Sequence, residues 1–127
     1  MVLGDAELVS FVGSEDLAVS ERFYRDILGL ELVESSAFAG VYRAGGATLR
    51  VTLVEAATRA PYTVAGWTVR DIEAAVAALA PRGVTFNRYP GLEQDTAGIW
   101  RAPGGARVAW FEDPHANVLS LSEPPRR

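Results

Sequence analysis

Two segments of the chain place apolar residues at the spacing of one helical face. The first stripe consists of Leu17, Tyr24, Ile27 and Leu28, with Phe23 at its edge, and the second of Ile72, Ala75, Val76 and Leu79. Asp16 and Asp71 precede these stripes, and each carboxylate can accept hydrogen bonds from the free N–H groups of a first helical turn. Gly29 and Gly83 suit the left-handed conformation that often follows a helix. We therefore predict two helices, one in each half of the chain.

Short apolar runs separated by turn residues predict strands around both helices. In the first half the runs are residues 8–12, 30–33, 40–43 and 47–54, and Gly45-Gly46 is a tight-hairpin signal between the last two. In the second half they are residues 62–69, 84–89, 98–102, 107–111 and 118–121. Each half thus has a strand, then a helix, then further strands, which predicts an α+β fold.

The two halves read as copies of one unit. The separation between Asp16 and Asp71 is nearly the same as that between Gly29 and Gly83, and matched landmarks at one offset indicate duplication. We predict module one at about residues 7–54, a linker at about 55–61 and module two at about 62–122. Together they form a single domain over residues 1–127.

Charge and composition exclude several classes of function. The chain has 127 residues, a net charge of −4 and no cysteine. The negative charge argues against a nucleic-acid partner, and the lack of cysteine excludes disulfides, thiolate metal sites and a cysteine nucleophile. We expect no membrane span, because no apolar run is long enough, and no signal peptide at the N-terminus. A reducing, cytoplasmic location is compatible with this composition.

Three segments carry motifs of a known family. Their most distinctive parts are Tyr24-Arg25-Asp26-Ile27-Leu28-Gly29-Leu30, Val69-Arg70-Asp71-Ile72-Glu73 and Glu112-Asp113-Pro114-His115-Ala116-Asn117. In this order they resemble the vicinal oxygen chelate superfamily, which includes glyoxalases, extradiol dioxygenases, fosfomycin resistance enzymes and bleomycin resistance proteins. The resemblance covers about residues 7–122. It implies two βαβββ modules whose curved mixed β-sheets surround a cavity, with helices on the outer faces, and a homodimer.

The resemblance also implies four positions for metal ligands, on the first and last strands of each module. Metal-using members place His or Glu there, because imidazole and carboxylate groups bind divalent metals. In this sequence the four positions fall on Val9, Arg50, Val64 and Ser120. Two aliphatic groups, one hydroxyl and one permanent cation cannot hold a divalent metal. We therefore expect no metal and no cofactor.

The same positions suggest what the cavity binds. Side chains alternate along a strand, so Thr48 and Thr52 should share a face with Arg50, and Thr68 should share one with Val64. The resulting lining has hydroxyls, small residues and one cation, so we expect a small organic ligand that is anionic. Arg50 is its predicted anchor, and Thr48, Thr52, Thr68, Ser120, Val9 and Val64 are the predicted further contacts.

Two other functions remain open at this point. One is a lyase, isomerase or dioxygenase-like enzyme of the same superfamily, for which the sequence identifies no catalytic residue. The other is a non-catalytic dimerisation module. His115, the single histidine, is interpreted as a turn residue after Asp113-Pro114. The role of Gln94-Asp95 and the facing of Arg43, Arg107, Trp100 and Trp110 are left undecided.

Overall fold

The computed structural model describes residues 2–126. The chain divides into two compact units with the boundary between Thr58 and Arg59. Each unit contains one four-stranded mixed sheet and one helix, in the order βαβββ. The α+β fold with two βαβββ modules is therefore confirmed.

Unit one begins with β1 (Val9–Ser14) and α1 (Leu17–Glu21), which continues as a π-helical segment, Arg22–Ile27. The chain then forms β2 (Glu31–Ser35), β3 (Ala39–Ala44) and β4 (Ala47–Leu53). The strand order is β1-β4-β3-β2, with β1 parallel to β4 and the other pairs antiparallel.

The first helix is positioned by its two ends and by one aromatic contact. The Asp16 carboxylate accepts from the N–H groups of Ala18 and Val19 at 3.0 and 3.2 Å, and Gly29 has the predicted left-handed φ of 79°. Tyr24 is fully buried, and its ring centroid lies 5.7 Å from that of Tyr42 on β3. The helix therefore covers one face of its own sheet.

Unit two contains β5 (Ala65–Thr68) and α2 (Ile72–Leu79), which ends in a 3₁₀ turn, Ala80–Arg82. It closes with β6 (Trp100–Arg101), β7 (Arg107–Glu112) and β8 (Val118–Glu123). The order is β5-β8-β7-β6, with β5 parallel to β8.

The core of unit two lies between α2 and its sheet. Ile72 and Val76 on the helix and Phe111 and Leu119 on the strands are all buried. Trp67 stacks on Phe111 with 6.3 Å between ring centroids. Asp71 caps α2 as predicted, because its carboxylate accepts from the Ala74 N–H at 3.1 Å.

The strand predicted at residues 84–89 is wrong. This segment contacts β7 through a single antiparallel bridge, between Phe86 and Phe111, in which the Asn87 N–H donates to the Trp110 carbonyl at 2.7 Å. The ladder stops there because the next N–H, of Tyr89, donates to the Gln94 side chain at 2.8 Å instead. The predicted strands at 62–69 and 98–102 are shorter in the structure, Ala65–Thr68 and Trp100–Arg101.

Within residues 2–126, no helix is both long enough and apolar enough to cross a membrane.

Candidate functional site

The exposed face of the first sheet carries four of the predicted site residues. Leu49 and Val51 on β4 are buried, so the alternation of side chains places Thr48, Arg50 and Thr52 on the opposite face. The neighbouring strands add apolar groups to this face. On β1, Val9 pairs with Thr48 and Phe11 with Arg50, and on β3, Val41 pairs with Arg50. The structure thus brings Val9, Thr48, Arg50 and Thr52 together as predicted neighbours.

Arg50 lies between apolar groups and has no acidic partner within residues 2–126. Its residue is half-buried, and its cross-strand neighbours are Phe11 and Val41. Among the residues that the structure describes, none forms an ion pair with its guanidinium. Thr48 lies two residues before Arg50 on the same face, and its hydroxyl donates to Glu7 Oε1 at 2.9 Å. The Glu7 carboxylate therefore already has a hydrogen-bond donor. A guanidinium in such surroundings favours an anionic or strongly accepting group.

The other three predicted residues belong to unit two. Ser120 on β8 pairs with Gly66 on β5, and Thr68 is exposed at the end of β5. Val64 precedes β5, and its N–H donates to the Val118 carbonyl at 2.9 Å. Leu119 and Leu121 are buried on the helix side, so Ser120 lies on the open face of this sheet, as the alternation predicts.

The open face of the second sheet also carries an aromatic cluster that the sequence left undecided. Trp110 on β7 pairs with Ser120 and therefore shares its face. The Tyr89 ring meets the Trp110 ring edge-on, with 5.4 Å between centroids and an interplanar angle of 88°. The Trp100 ring centroid lies 5.9 Å from that of Trp110. This face of the sheet therefore offers apolar aromatic surface.

A polar network beside this cluster was missed by sequence reasoning. The Asn87 amide donates to Tyr89 Oη at 3.1 Å and to Glu112 Oε2 at 3.2 Å. Arg59 forms an ion pair with the same Glu112 oxygen. Alternation along β7 would have placed Glu112 on the face of Trp110. Arg59 and Asn87 lie in irregular segments, where periodicity gives no signal.

Gln94, whose role the sequence left undecided, and His115, interpreted as a turn residue, both have structural positions. The Gln94 side chain accepts from the Tyr89 N–H and donates to the carbonyls of Asn87 and Gly98, at 2.8 and 2.9 Å, so it fixes the loop. His115 lies in a turn in which its own N–H donates to Asp113 Oδ1 at 2.8 Å. The predicted turn position of His115 is therefore confirmed.

The donor groups present do not fit a divalent metal. Val9, Arg50, Val64 and Ser120 supply no imidazole and no carboxylate. Over residues 2–126, no three His, Asp or Glu side chains converge in a group that could hold a metal ion. No reaction step through a metal can therefore be assigned to these residues.

Comparison with known proteins agrees with this architecture. The profile of the Glyoxalase/Bleomycin resistance protein/Dioxygenase superfamily matches residues 9–121. A lactoylglutathione lyase from Agrobacterium tumefaciens has a similar structure, with a TM-score of 0.74, 18% identity and 95% coverage of both chains. So does a glyoxalase/bleomycin resistance protein from Catenulispora acidiphila, with a TM-score of 0.70, 21% identity, and coverage of 94% of this chain and 98% of the other.

A glyoxalase/bleomycin resistance protein/dioxygenase from Alicyclobacillus acidocaldarius is similar as well. Its TM-score is 0.71 and its identity 20%, with coverage of 97% of this chain and 94% of the other. Identities this low establish a common fold and no common substrate. No curated protein matches the sequence significantly. With the profile spanning most of the sequence and both modules present, the chain belongs to the Glyoxalase/Bleomycin resistance protein/Dioxygenase superfamily.

Proposed function

We propose that the protein binds a small organic anion without using a metal, and that Arg50 on the open face of the first sheet is the anchor. The observation that carries this proposal is the half-buried Arg50 guanidinium, which has no ion-pair partner among residues 2–126. A charged group that has lost part of its hydration is stabilised by an opposite charge. The fixed geometry of guanidinium also suits carboxylate, sulfonate and phosphate oxygens.

The neighbours of Arg50 define the remaining chemistry of the ligand. Phe11 and Val41 flank the cation across the strands and can contact an apolar body. Thr52 lies next but one to Arg50 along β4 and can donate a hydrogen bond to a further ligand oxygen. The Thr48 hydroxyl, on the other side of Arg50, already donates to Glu7 and can accept a hydrogen bond from the ligand. A ligand with one anionic group on an apolar frame satisfies both features. Val9, beside Thr48, would add apolar contact, and Val64, Thr68 and Ser120 remain predicted contacts from the family resemblance.

The lack of a metal in this proposal rests on donor chemistry. The four positions that the family resemblance implies for metal ligands are Val9, Arg50, Val64 and Ser120 in this chain. Arg50 would repel a divalent cation and attracts an anion instead. The arginine at position 50 therefore takes the place of a metal ligand and is at the same time the proposed anchor for the anion.

The probe for the proposed site is 8-anilinonaphthalene-1-sulfonate, an organic anion with an apolar body and an environment-sensitive fluorescence. Arg50→Ala should weaken its binding at least about tenfold, because a charge-assisted contact contributes about 1.5–3 kcal/mol. The affinity of Arg50→Lys for the probe should lie between those of the wild type and Arg50→Ala, since lysine keeps the charge and loses the planar guanidinium. Arg22→Ala is the matched control, because Arg22 is an exposed arginine on the π-helical segment.

Equal affinities of the wild type and Arg50→Ala, with unchanged near-UV circular dichroism, would contradict the proposal. Native mass spectrometry of protein purified without added metal supplies the second readout. A bound organic species that is lost in Arg50→Ala and kept in Arg22→Ala would identify the natural ligand by mass.

A further inference from the structure

Unit two contains a concave site next to its aromatic cluster. The site has a volume of about 390 Å³, and the residues that define its chemistry are Arg59, Pro61, Tyr62, Tyr89, Trp110 and Val118. This volume lies at the lower end of the range for small-molecule sites and suits a compound of one or two rings. All of these residues belong to unit two.

The walls of this site are aromatic. Trp110 and Tyr89 meet at 88°, which leaves a corner between two rings rather than a closed stack. Tyr62 is 66% exposed, so its ring is accessible to a ligand, and the buried Val118 contributes an apolar surface. Aromatic side chains favour offset or edge contacts with other flat rings. A planar ring therefore fits the walls better than a saturated one.

The polar end of the site is a cation held in a fixed place. Arg59 is paired with Glu112, and its side chain is 62% exposed. The Asn87 amide donates both to Glu112 Oε2 and to Tyr89 Oη. It therefore connects the Tyr89 side chain to the carboxylate that pairs with Arg59. A guanidinium has five N–H donors, and the contact with one carboxylate oxygen leaves several of them for a ligand.

We propose that this site binds a planar aromatic compound that carries one anionic group, with the ring against Trp110 and Tyr62 and the anion on Arg59. Aromatic walls also attract cations, but the charge facing the site decides against a cationic ligand. Arg59 lines the site, whereas the accepting oxygen of Glu112 is already shared by Arg59 and Asn87.

The test uses 4-nitrobenzoate, a planar aromatic anion that quenches tryptophan fluorescence. Benzamidine and cyclohexanecarboxylate serve as competitors, since the first is planar and cationic and the second is anionic and not planar. We expect saturable quenching by 4-nitrobenzoate and displacement by either competitor only at concentrations at least about tenfold higher. Absence of saturable quenching, or tighter binding of benzamidine, would overturn the proposal.

Variants separate the roles of charge and ring. The double variant Arg59→Gln/Glu112→Gln removes both charges together and should weaken 4-nitrobenzoate at least about tenfold. Glu112→Gln alone should strengthen the binding of 4-nitrobenzoate, because Arg59 then faces the site without a neutralising carboxylate. Weaker binding in Glu112→Gln would contradict the proposed charge preference.

Controls locate the binding. Tyr62→Ala changes an exposed side chain and should leave the fold intact, so it tests the ring contact without altering a buried residue. It should weaken the binding of 4-nitrobenzoate several-fold, because the ligand loses a contact with an aromatic ring. Arg70→Gln, at an exposed arginine in the same unit, and Arg50→Ala should both leave the affinity unchanged. If Tyr62→Ala and the double variant both bound 4-nitrobenzoate as tightly as the wild type, the site would be refuted. Loss of binding in Arg50→Ala would instead place the probe at the other proposed site.

Discussion

Arg107 and Glu123 form a bidentate ion pair on the helix side of the second sheet. Arg107 Nε donates to Glu123 Oε2 at 3.1 Å, and Arg107 Nη2 donates to Glu123 Oε1 at 3.1 Å. Glu123 Oε1 also accepts the N–H of Ile72 at the start of α2, at 3.1 Å. One carboxylate therefore joins β7, β8 and the first turn of α2. The Ile72 hydrogen bond, and then Arg107, lower the pKa of Glu123 from its ordinary value of 4.5.

The lowered pKa of Glu123 predicts a loss of stability in acid. A carboxyl group with a lowered pKa in the folded state stabilises the fold above its unfolded pKa, and this contribution disappears as the pH falls through the folded value. Glu123→Gln should unfold at lower urea concentration than the wild type at pH 7, and the difference should shrink below pH 4.5. Urea titrations at pH 7 and below the unfolded pKa measure this.

The matched control for Glu123→Gln is Glu34→Gln. Glu34 lies on β2 and is exposed, so its neutralisation removes the same charge without breaking a buried contact. A pH-independent difference between Glu123→Gln and the wild type would show that the ion pair contributes through packing rather than through charge.

Gly66 is predicted to tolerate no larger residue. A Cβ atom at this position would lie 2.6 Å from Ser120 Oγ and 3.0 Å from the Ser120 carbonyl oxygen. Gly66→Ala should therefore lower the free energy of unfolding by about 1–3 kcal/mol, as overpacking does elsewhere. Chemical denaturation measures the loss. Adding Ser120→Ala should recover part of it, because that change removes the closer of the two atoms.

Gly46→Ala is the control for this prediction. A Cβ atom at Gly46 meets nothing within 4 Å, so the substitution should change the stability far less than Gly66→Ala. Equal losses at the two glycines would contradict the close approach between β5 and β8.

Gln94 is predicted to hold the loop that carries Tyr89. Gln94→Ala removes the acceptor of the Tyr89 N–H and two donors to the carbonyls of Asn87 and Gly98. The Tyr89 amide should then exchange its hydrogen faster, because its protection comes from this side chain. Hydrogen exchange followed by NMR measures the change. Glu93→Ala, at the exposed neighbouring position, should leave the exchange rate as in the wild type.

The sequence predicted the elements whose signals are local. Asp16, Asp71 and Gly29 occupy the cap positions expected of them, because capping depends on residues two or three positions apart. The segment 84–89 has the alternation of a strand but lies beside β7 with a single bridge, since Gln94, a residue outside the segment, takes the Tyr89 N–H. Such competition is not visible in periodicity.

The candidate sites show the same division. The shared face of Thr48, Arg50 and Thr52 followed from the period of a strand. The contact between Arg59 and Glu112 joins residues far apart in the sequence, and Asn87 reaches both Tyr89 and Glu112 from an irregular segment. Neither contact produces a recognisable spacing in the sequence, so only the structure reveals the concave site of unit two.

A homodimer is the expected assembly in solution. Phe11 on the open face of the first sheet is 62% exposed, and Leu8 and Phe38 are exposed at 84% and 75%. Large exposed apolar side chains and unpaired strand edges favour association. Light scattering after size-exclusion chromatography should give twice the chain mass at micromolar concentration. Phe11→Asp should shift the population toward monomer, whereas Leu3→Asp near the N-terminus should not. A monomer mass for the wild type would contradict this expectation.

The protein is predicted to hold no stoichiometric transition metal. The family resemblance implies Val9, Arg50, Val64 and Ser120 as the positions of metal ligands, and none of these residues is a carboxylate or an imidazole. After incubation with Zn²⁺, Ni²⁺ or Mn²⁺ and dialysis, elemental analysis should find far less than one metal per chain. His115→Ala is the control for weak binding by the single histidine, which lies in the turn before β8. About one tightly held metal per chain, kept in His115→Ala, would refute the metal-free assignment and with it the role of Arg50 as an anion anchor.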